Sequence, residues 1–303
     1  MLQRPGSLTE DERGATAQPP LSNCCIAAPP VLEFDVAGQL LRAWGGPGTG
    51  FDWPSNLHGI QVDDDGNVWI TGNGPQDGQL LKFSADGSFL MQLGKVGPQT
   101  GNADVTRLGQ AADVAVDTVA QEVYVADGYH EQRVIVFDAK TGTFKRQWGA
   151  YGRPPVAISQ PSLRRTAAQR EQFGNPVHCV RLARDGLVYV RDRLNNRIQV
   201  FHRDGQFVRE FSVAPDTAGN GSVWDIALSR DDRQRWLFMA DGRNNEVLTL
   251  SRATGQVLSS VGRPGRYAGE FHWVHDIAID NAGNLYTGEV GTGKRVQKFV
   301  RQP

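Results

Sequence analysis

The 303-residue chain has little cysteine, almost no net charge and no long apolar run, and each shortage excludes a class of protein. Cys24, Cys25 and Cys179 are too few and too scattered for a disulfide framework. Adjacent Cys24 and Cys25 are awkwardly placed to bond to each other, and Cys179 lies in an apolar strand pattern as a small buried group. The redox compartment stays open. A formal net charge of -1 gives no global field for nucleic acid or an anionic membrane. No segment approaches the roughly 20 apolar residues of a membrane-spanning helix. Residues 1–22 carry Glu10, Asp11, Glu12 and Arg13 and no apolar h-region, so no secretory signal is visible. That predicts a cytoplasmic chain, or a secreted or periplasmic one if further sequence precedes it.

What the chain does have is glycine, 35 residues of it, and one sentence written repeatedly. It reads LHGIQVDDDGNVWITG from Leu57, AADVAVDTVAQEVYVAD from Ala111 and VHCVRLARDGLVYVRD from Val177. VWDIALSRDDRQRWLFMAD from Val223 and VHDIAIDNAGNLYTGE from Val274 complete the series. A charged strand ending in Phe or Leu follows each copy, such as RVIVF or RIQVF. A unit of this size cannot bury its own apolar face and must stack on its neighbours. Short strands at regular spacing, separated by Asp-Gly-type turns, predict an all-β propeller rather than a sandwich.

Five copies and a partial one predict six blades. The partial blade is VLEF at 31–34 and LLRAWG at 40–45, which match only the last two strands of the repeat. Residues 20–28 stand where its opening half belongs, as a degenerate version unless the chain begins late. Residues 1–28 are then a tail, expected to be disordered, and 29–303 the propeller. The N-terminal strands are expected to close the ring beside the last blade, which avoids an exposed sheet edge. The segment 150–172 is too long for an ordinary connection between blades. Within it SLRRTAAQREQF predicts a short helix capped by Ser162, either a lid or a surface insertion.

The position before each innermost strand is His58, Ala112, His178, Trp224 and His275. Histidine takes alternate blades, about 120° apart around a six-fold ring, at one mouth of the channel. Half of the chain's six histidines fall in this phase. Three converging imidazoles with an open position are the plan of a catalytic metal site. Zinc suits an all-imidazole set; iron, copper and nickel share the preference. His130 and His272 lie near the same mouth, and His202 in an outer turn. The loops after the second strands emerge there too, carrying Tyr129, Arg193 and Arg243. A phenol near a dication can act as a base, and an arginine can hold a carboxylate bidentately. Alternatively these residues tie neighbouring blades together, a reading that suits Arg243 best.

Across residues 30–300 these motifs resemble the peptidyl-α-hydroxyglycine α-amidating lyases, within the six-bladed NHL-repeat propellers. The most specific pieces are LHGIQVDDDGNVWIT, FGNPVHCVRL, DRLNNRIQVF and FHWVHDIAID. The resemblance implies zinc on His58, His178 and His275, with Tyr129 and Arg193 in the active site. It implies a structural calcium held by Asp276 and the backbone carbonyl of Ile60. The implied reaction cleaves a carbinolamide C–N bond, releasing an amide and glyoxylate from a small-molecule or peptide C-terminal substrate. Trp273 stands where the family has methionine, and His130 where it has a cysteine. Trp273, His130 and Arg243 are candidate substrate contacts. The family's further arginine, in its first blade, has no counterpart among residues 20–30. The alternative is a non-catalytic NHL propeller that binds a protein or ligand on one face. A lactonase-type propeller uses carboxylate and Asn ligands, which this frame lacks. A monomer is compatible with either plan, and the sequence leaves the oligomeric state open.

Overall fold

A computed structural model describes residues 1–156 and 170–302 as antiparallel sheets arranged around a channel. The first blade is β3–β6 (Leu57–Val62, Val68–Gly72, Gln79–Phe83, Phe89–Gly94). The second is β7–β10 (Ala111–Asp117, Glu122–Asp127, Arg133–Asp138, Phe144–Trp148). The third is β11–β14 (Val177–Leu182, Val188–Asp192, Arg197–Phe201, Phe207–Ser212). The fourth is β15–β18 (Val223–Leu228, Trp236–Asp241, Glu246–Ser251, Val257–Val261). The last has three strands, β19–β21 (Val274–Ile279, Leu285–Glu289, Val296–Phe299).

The six-blade expectation is corrected: among the described residues there are five blades and one two-stranded pair, β1 (Val31–Phe34) with β2 (Leu40–Trp44). Residues 20–28 form no strand. Pro19, Pro20, Pro29 and Pro30 crowd this stretch, and proline cannot donate to a ladder. An isolated bridge from Leu2 to Val31 is all that extends the pair. The pair still spans first and last blades. Trp44 packs 5.3 Å from Phe83, and Lys298 Nζ donates to the Val36 carbonyl at 2.7 Å. The helix expected after Ser162 lies largely outside the described residues. The sulfurs of Cys24 and Cys25 are in bonding contact, against the sequence expectation.

The turns follow from their residues. In the β3–β4 turn, Asp63 Oδ1 accepts the N–H groups of Asp65 and Asn67 at 3.0 and 2.8 Å. Gly66 takes the left-handed position at φ 82°, open to glycine at little strain. Asp280, Gly283 and Asn284 repeat the device before β20. Apolar side chains meet between blades rather than in one centre. Trp148, Phe173 and Phe201, for example, join the second blade to the third. Each such ring contributes about 1.5–3 kcal/mol by burial, so every blade depends on its neighbours.

The strands leading to the mouth share a buried lock. β8 ends in Asp127 and β12 in Asp192; Arg133 and Arg197 begin the next strands and pair with them at 2.8 Å each. β16 likewise ends in Asp241, but β17 begins with Glu246. Burial, with Glu246 adding repulsion, raises the Asp241 pKa from 3.8 to about 6. A carboxyl with a raised folded-state pKa destabilises the fold once ionised, so the penalty is small near pH 4 and full above pH 6. Glu246→Arg is therefore expected to stabilise the protein by about 2 kcal/mol at pH 7 and by little at pH 4. Urea midpoints at the two pH values check this, and equal gains at both would contradict it.

Candidate metal centre

Every inner strand carries the same irregularity. Pairing jumps from Val177 to Cys179, from Val274 to Asp276 and from Leu57 to Ile60, leaving His178, His275 and His58 out of the ladder. Ala112 and Trp224 are skipped in the same way. A bulge re-aims the side chain it frees. Here it turns the frame residue of each blade toward the axis, which explains why the three histidines keep one phase.

The imidazoles meet. Ring centroids are 5.1 Å apart for His58–His178 and His58–His275 and 4.8 Å for His178–His275. One nitrogen from each lies within 4.8 Å of the others, and all three residues are buried. The group can hold a metal ion. The blades without histidine orient it: the Ala112 carbonyl lies 2.7 Å from His58 Nδ1, and the Trp224 carbonyl 2.7 Å from His178 Nδ1. A carbonyl only accepts, so each Nδ1 carries the proton and each Nε2 is a free lone pair. Burial, with His275 and Arg4 near His58 and Arg193 near His178, lowers both pKa values well below the ordinary 6.5. Both rings are neutral at pH 7, as ligands must be. His275 Nδ1 lies 3.2 Å from Asp276 Oδ2.

Tyr129 completes the cluster. Its hydroxyl is 2.8 Å from His58 Nε2 and 3.0 Å from His178 Nε2. A phenol has one proton, so it satisfies one of these lone pairs and leaves the other without a donor. That orphaned pair fits a metal ion. Burial raises the Tyr129 pKa above 10, with Arg193 and Arg4 pulling the other way, so the phenol is protonated at neutral pH. Arg193 is sandwiched between aromatic faces, 5.1 Å from the Trp224 ring and 5.8 Å from Tyr129. It is 9% exposed, and its Nε has no hydrogen-bond partner. A buried guanidinium with a spare donor is suited to an anion.

Other expected contacts fall differently. Trp273 lines the cluster through Trp224, ring to ring at 6.0 Å, and is held at a strained φ of 55°. Its N–H donates to Asn245 Oδ1 at 2.6 Å. His130 turns toward Glu131 Oε1 at 3.1 Å, half exposed, and Arg243 is exposed at the rim. Neither contacts the histidines. Ile60 pairs with Ile70 in β3–β4, two residues from His58.

Arg4 went unnoticed in the sequence. The Leu2–Val31 bridge makes the first residues the stub of a second strand. Arg4 thus follows that strand as Tyr129 follows β8 and Arg193 follows β12. Its Nε donates to the Leu57 carbonyl at 2.5 Å, beside His58, and its charge acts on His58 and Tyr129. The repeat frame was the signal that could have found it, but three residues are too few to read as a strand.

No family model matches the chain. It is 34% identical to peptidyl-glycine alpha-amidating monooxygenase A of Xenopus laevis over 77% of its own length and 23% of that protein's. Against a probable peptidyl-alpha-hydroxyglycine alpha-amidating lyase of Caenorhabditis elegans it is 32% identical over 77% of itself and 61% of the relative. NHL repeat-containing protein 3 of Mus musculus is 25% identical over 90% of this chain and 73% of that one. The chain thus spans about a quarter of the amidating monooxygenases it matches. Among the described residues no helix is long and apolar enough to cross a membrane.

Proposed function

We propose that this chain is a metal-dependent lyase that cleaves the carbinolamide C–N bond of a peptidyl-α-hydroxyglycine, giving a peptide amide and glyoxylate. The observation that carries this reading is the phenol of Tyr129 hydrogen-bonded across the nitrogens of His58 and His178. Similarity to a probable lyase of that class supports it. The histidine set, His58, His178 and His275, would hold zinc, a Lewis acid that polarises the carbinol oxygen.

The protein's own groups supply the rest. The substrate ends in a carboxylate, and Arg193 with Arg4 provides two guanidinium groups beside the cluster to fix it. The reaction moves one proton: the carbinol hydroxyl loses it as its C–O bond becomes a carbonyl, and the departing amide nitrogen gains it as C–N breaks. Tyr129, protonated at neutral pH, is the group within reach to carry it. Trp224 and Trp273 form an apolar wall beside the cluster, suited to the rest of the substrate. Purified protein incubated with α-hydroxyhippurate is expected to release glyoxylate and benzamide in equal amounts. Metal-loaded protein that releases none would remove this reading. A second reading is a non-catalytic propeller that binds a protein or ligand on one face; the chain is also similar to NHL repeat-containing protein 3 over most of both chains.

A further inference from the structure

Just past the bulge, three inner strands carry aspartate: Asp113, Asp225 and Asp276. The resemblance would place a structural calcium on Asp276 and the Ile60 carbonyl, but the groups around Asp276 do not fit a dication. Arg181, from β11, reaches between its neighbours. Its Nη1 contacts Asp113 Oδ2, and its Nη2 lies 3.2 Å from Asp225 Oδ1. Arg191, from β12, lies 3.1 Å from the same Asp225 oxygen.

Main-chain donors occupy both oxygens of Asp225 and Oδ2 of Asp113. Ile226 N–H donates to Asp225 Oδ1 and Ile277 N–H to Asp225 Oδ2, both at 2.7 Å. Val180 N–H reaches Asp113 Oδ2 at 3.3 Å. Asp276 keeps the most exposed carboxylate of the three, its side chain 65% exposed and its Oδ2 3.2 Å from His275 Nδ1. One exposed carboxylate, with the Arg181 and Arg191 charges acting on it, is a poor calcium site, since that ion takes six to eight oxygens, usually with several carboxylates among them. Arginine does not lose its charge at any working pH.

We propose that Arg181 is the built-in cation of this channel. Its guanidinium ties the second, third and fourth blades together through Asp113 and Asp225, and the propeller is stable without calcium. The bridge is made of the chain itself, so it forms with folding and does not depend on the calcium level of the compartment. The inference does not rest on the lyase reading.

The test is thermal unfolding of the full chain after dialysis against EGTA, with and without added CaCl2, alongside calcium analysis. The wild type is expected to retain essentially no calcium and to melt within about 1–2 °C in both conditions. Arg181→Gln leaves Asp113 and Asp225 facing each other. It is expected to melt at least about 5 °C lower and to regain part of that loss in millimolar calcium. Arg181→Lys keeps the charge and should melt between the two without a calcium response. One dialysis-resistant calcium per wild-type chain would overturn the proposal, as would a fall of more than about 5 °C in EGTA. So would an Arg181→Gln protein that melts like the wild type. If that variant fails to fold, the wild-type measurement decides alone.

Discussion

His178→Ala is expected to strip the transition metal from the protein and abolish turnover while leaving the blades folded. His178 is one of three imidazoles whose nitrogens lie within 4.8 Å of one another, so its loss leaves two ligands from β3 and β19. Losing an outer partner of a metal ligand already costs roughly 10–100-fold in affinity. Losing a ligand itself should exceed that and leave the dialysed variant metal-free. His178 is 2% exposed, and its Nδ1 bond to the Trp224 carbonyl disappears with it, so some loss of stability accompanies the change. His202→Ala, in an exposed turn of the third blade, is the control and should keep both metal and activity. Metal content by mass spectrometry and circular dichroism of the same samples separate an emptied site from an unfolded chain. A folded His178→Ala protein with full metal content would refute the three-histidine centre.

Tyr129→Phe is expected to do the opposite: keep the metal and lose the reaction. Phenylalanine retains the ring beneath Arg193 and removes only the hydroxyl that lies 2.8 and 3.0 Å from two Nε2 atoms. A positioned proton carrier contributes about 10²–10⁴-fold to rate, so kcat should fall within that range with KM little changed. The limb of the wild-type pH–rate profile that belongs to the phenol should vanish in the variant. If kcat is unaltered, Tyr129 merely fills the gap between two imidazoles.

The histidine frame was legible because one backbone irregularity recurs. A bulge at the same place in β3, β11 and β19 keeps His58, His178 and His275 in register, and a sequence repeat preserves register. Tyr129 and Arg193 were legible for the same reason, each following a second strand. The inner strands differ in burial: β7, apolar without alternation, is buried along nearly its whole length, whereas β19 alternates buried and exposed residues.

What stayed hidden depends on contacts between blades. Arg133 and Arg197 open the charged strands RVIVF and RIQVF, yet each is buried against an aspartate at the end of the preceding strand. The bridge from Arg181 to Asp113 and Asp225 joins residues 68 and 44 positions apart, which no local pattern reports. The blade count failed because VLEF and LLRAW have the pattern of strands in a full blade, while the proline-rich residues before them supply none. Arg4 was lost in too short a stub, and His130 misled because its sequence position faces the mouth while Glu131 draws its side chain aside.

The most direct test of the account is the metal content of the wild-type protein, purified without added metal and dialysed against a weak chelator. About one transition-metal ion per chain is expected, zinc by preference of the all-imidazole set. Less than a tenth of an ion per chain, with no uptake when zinc is supplied, would contradict it and leave the three imidazoles as a polar plug in the channel.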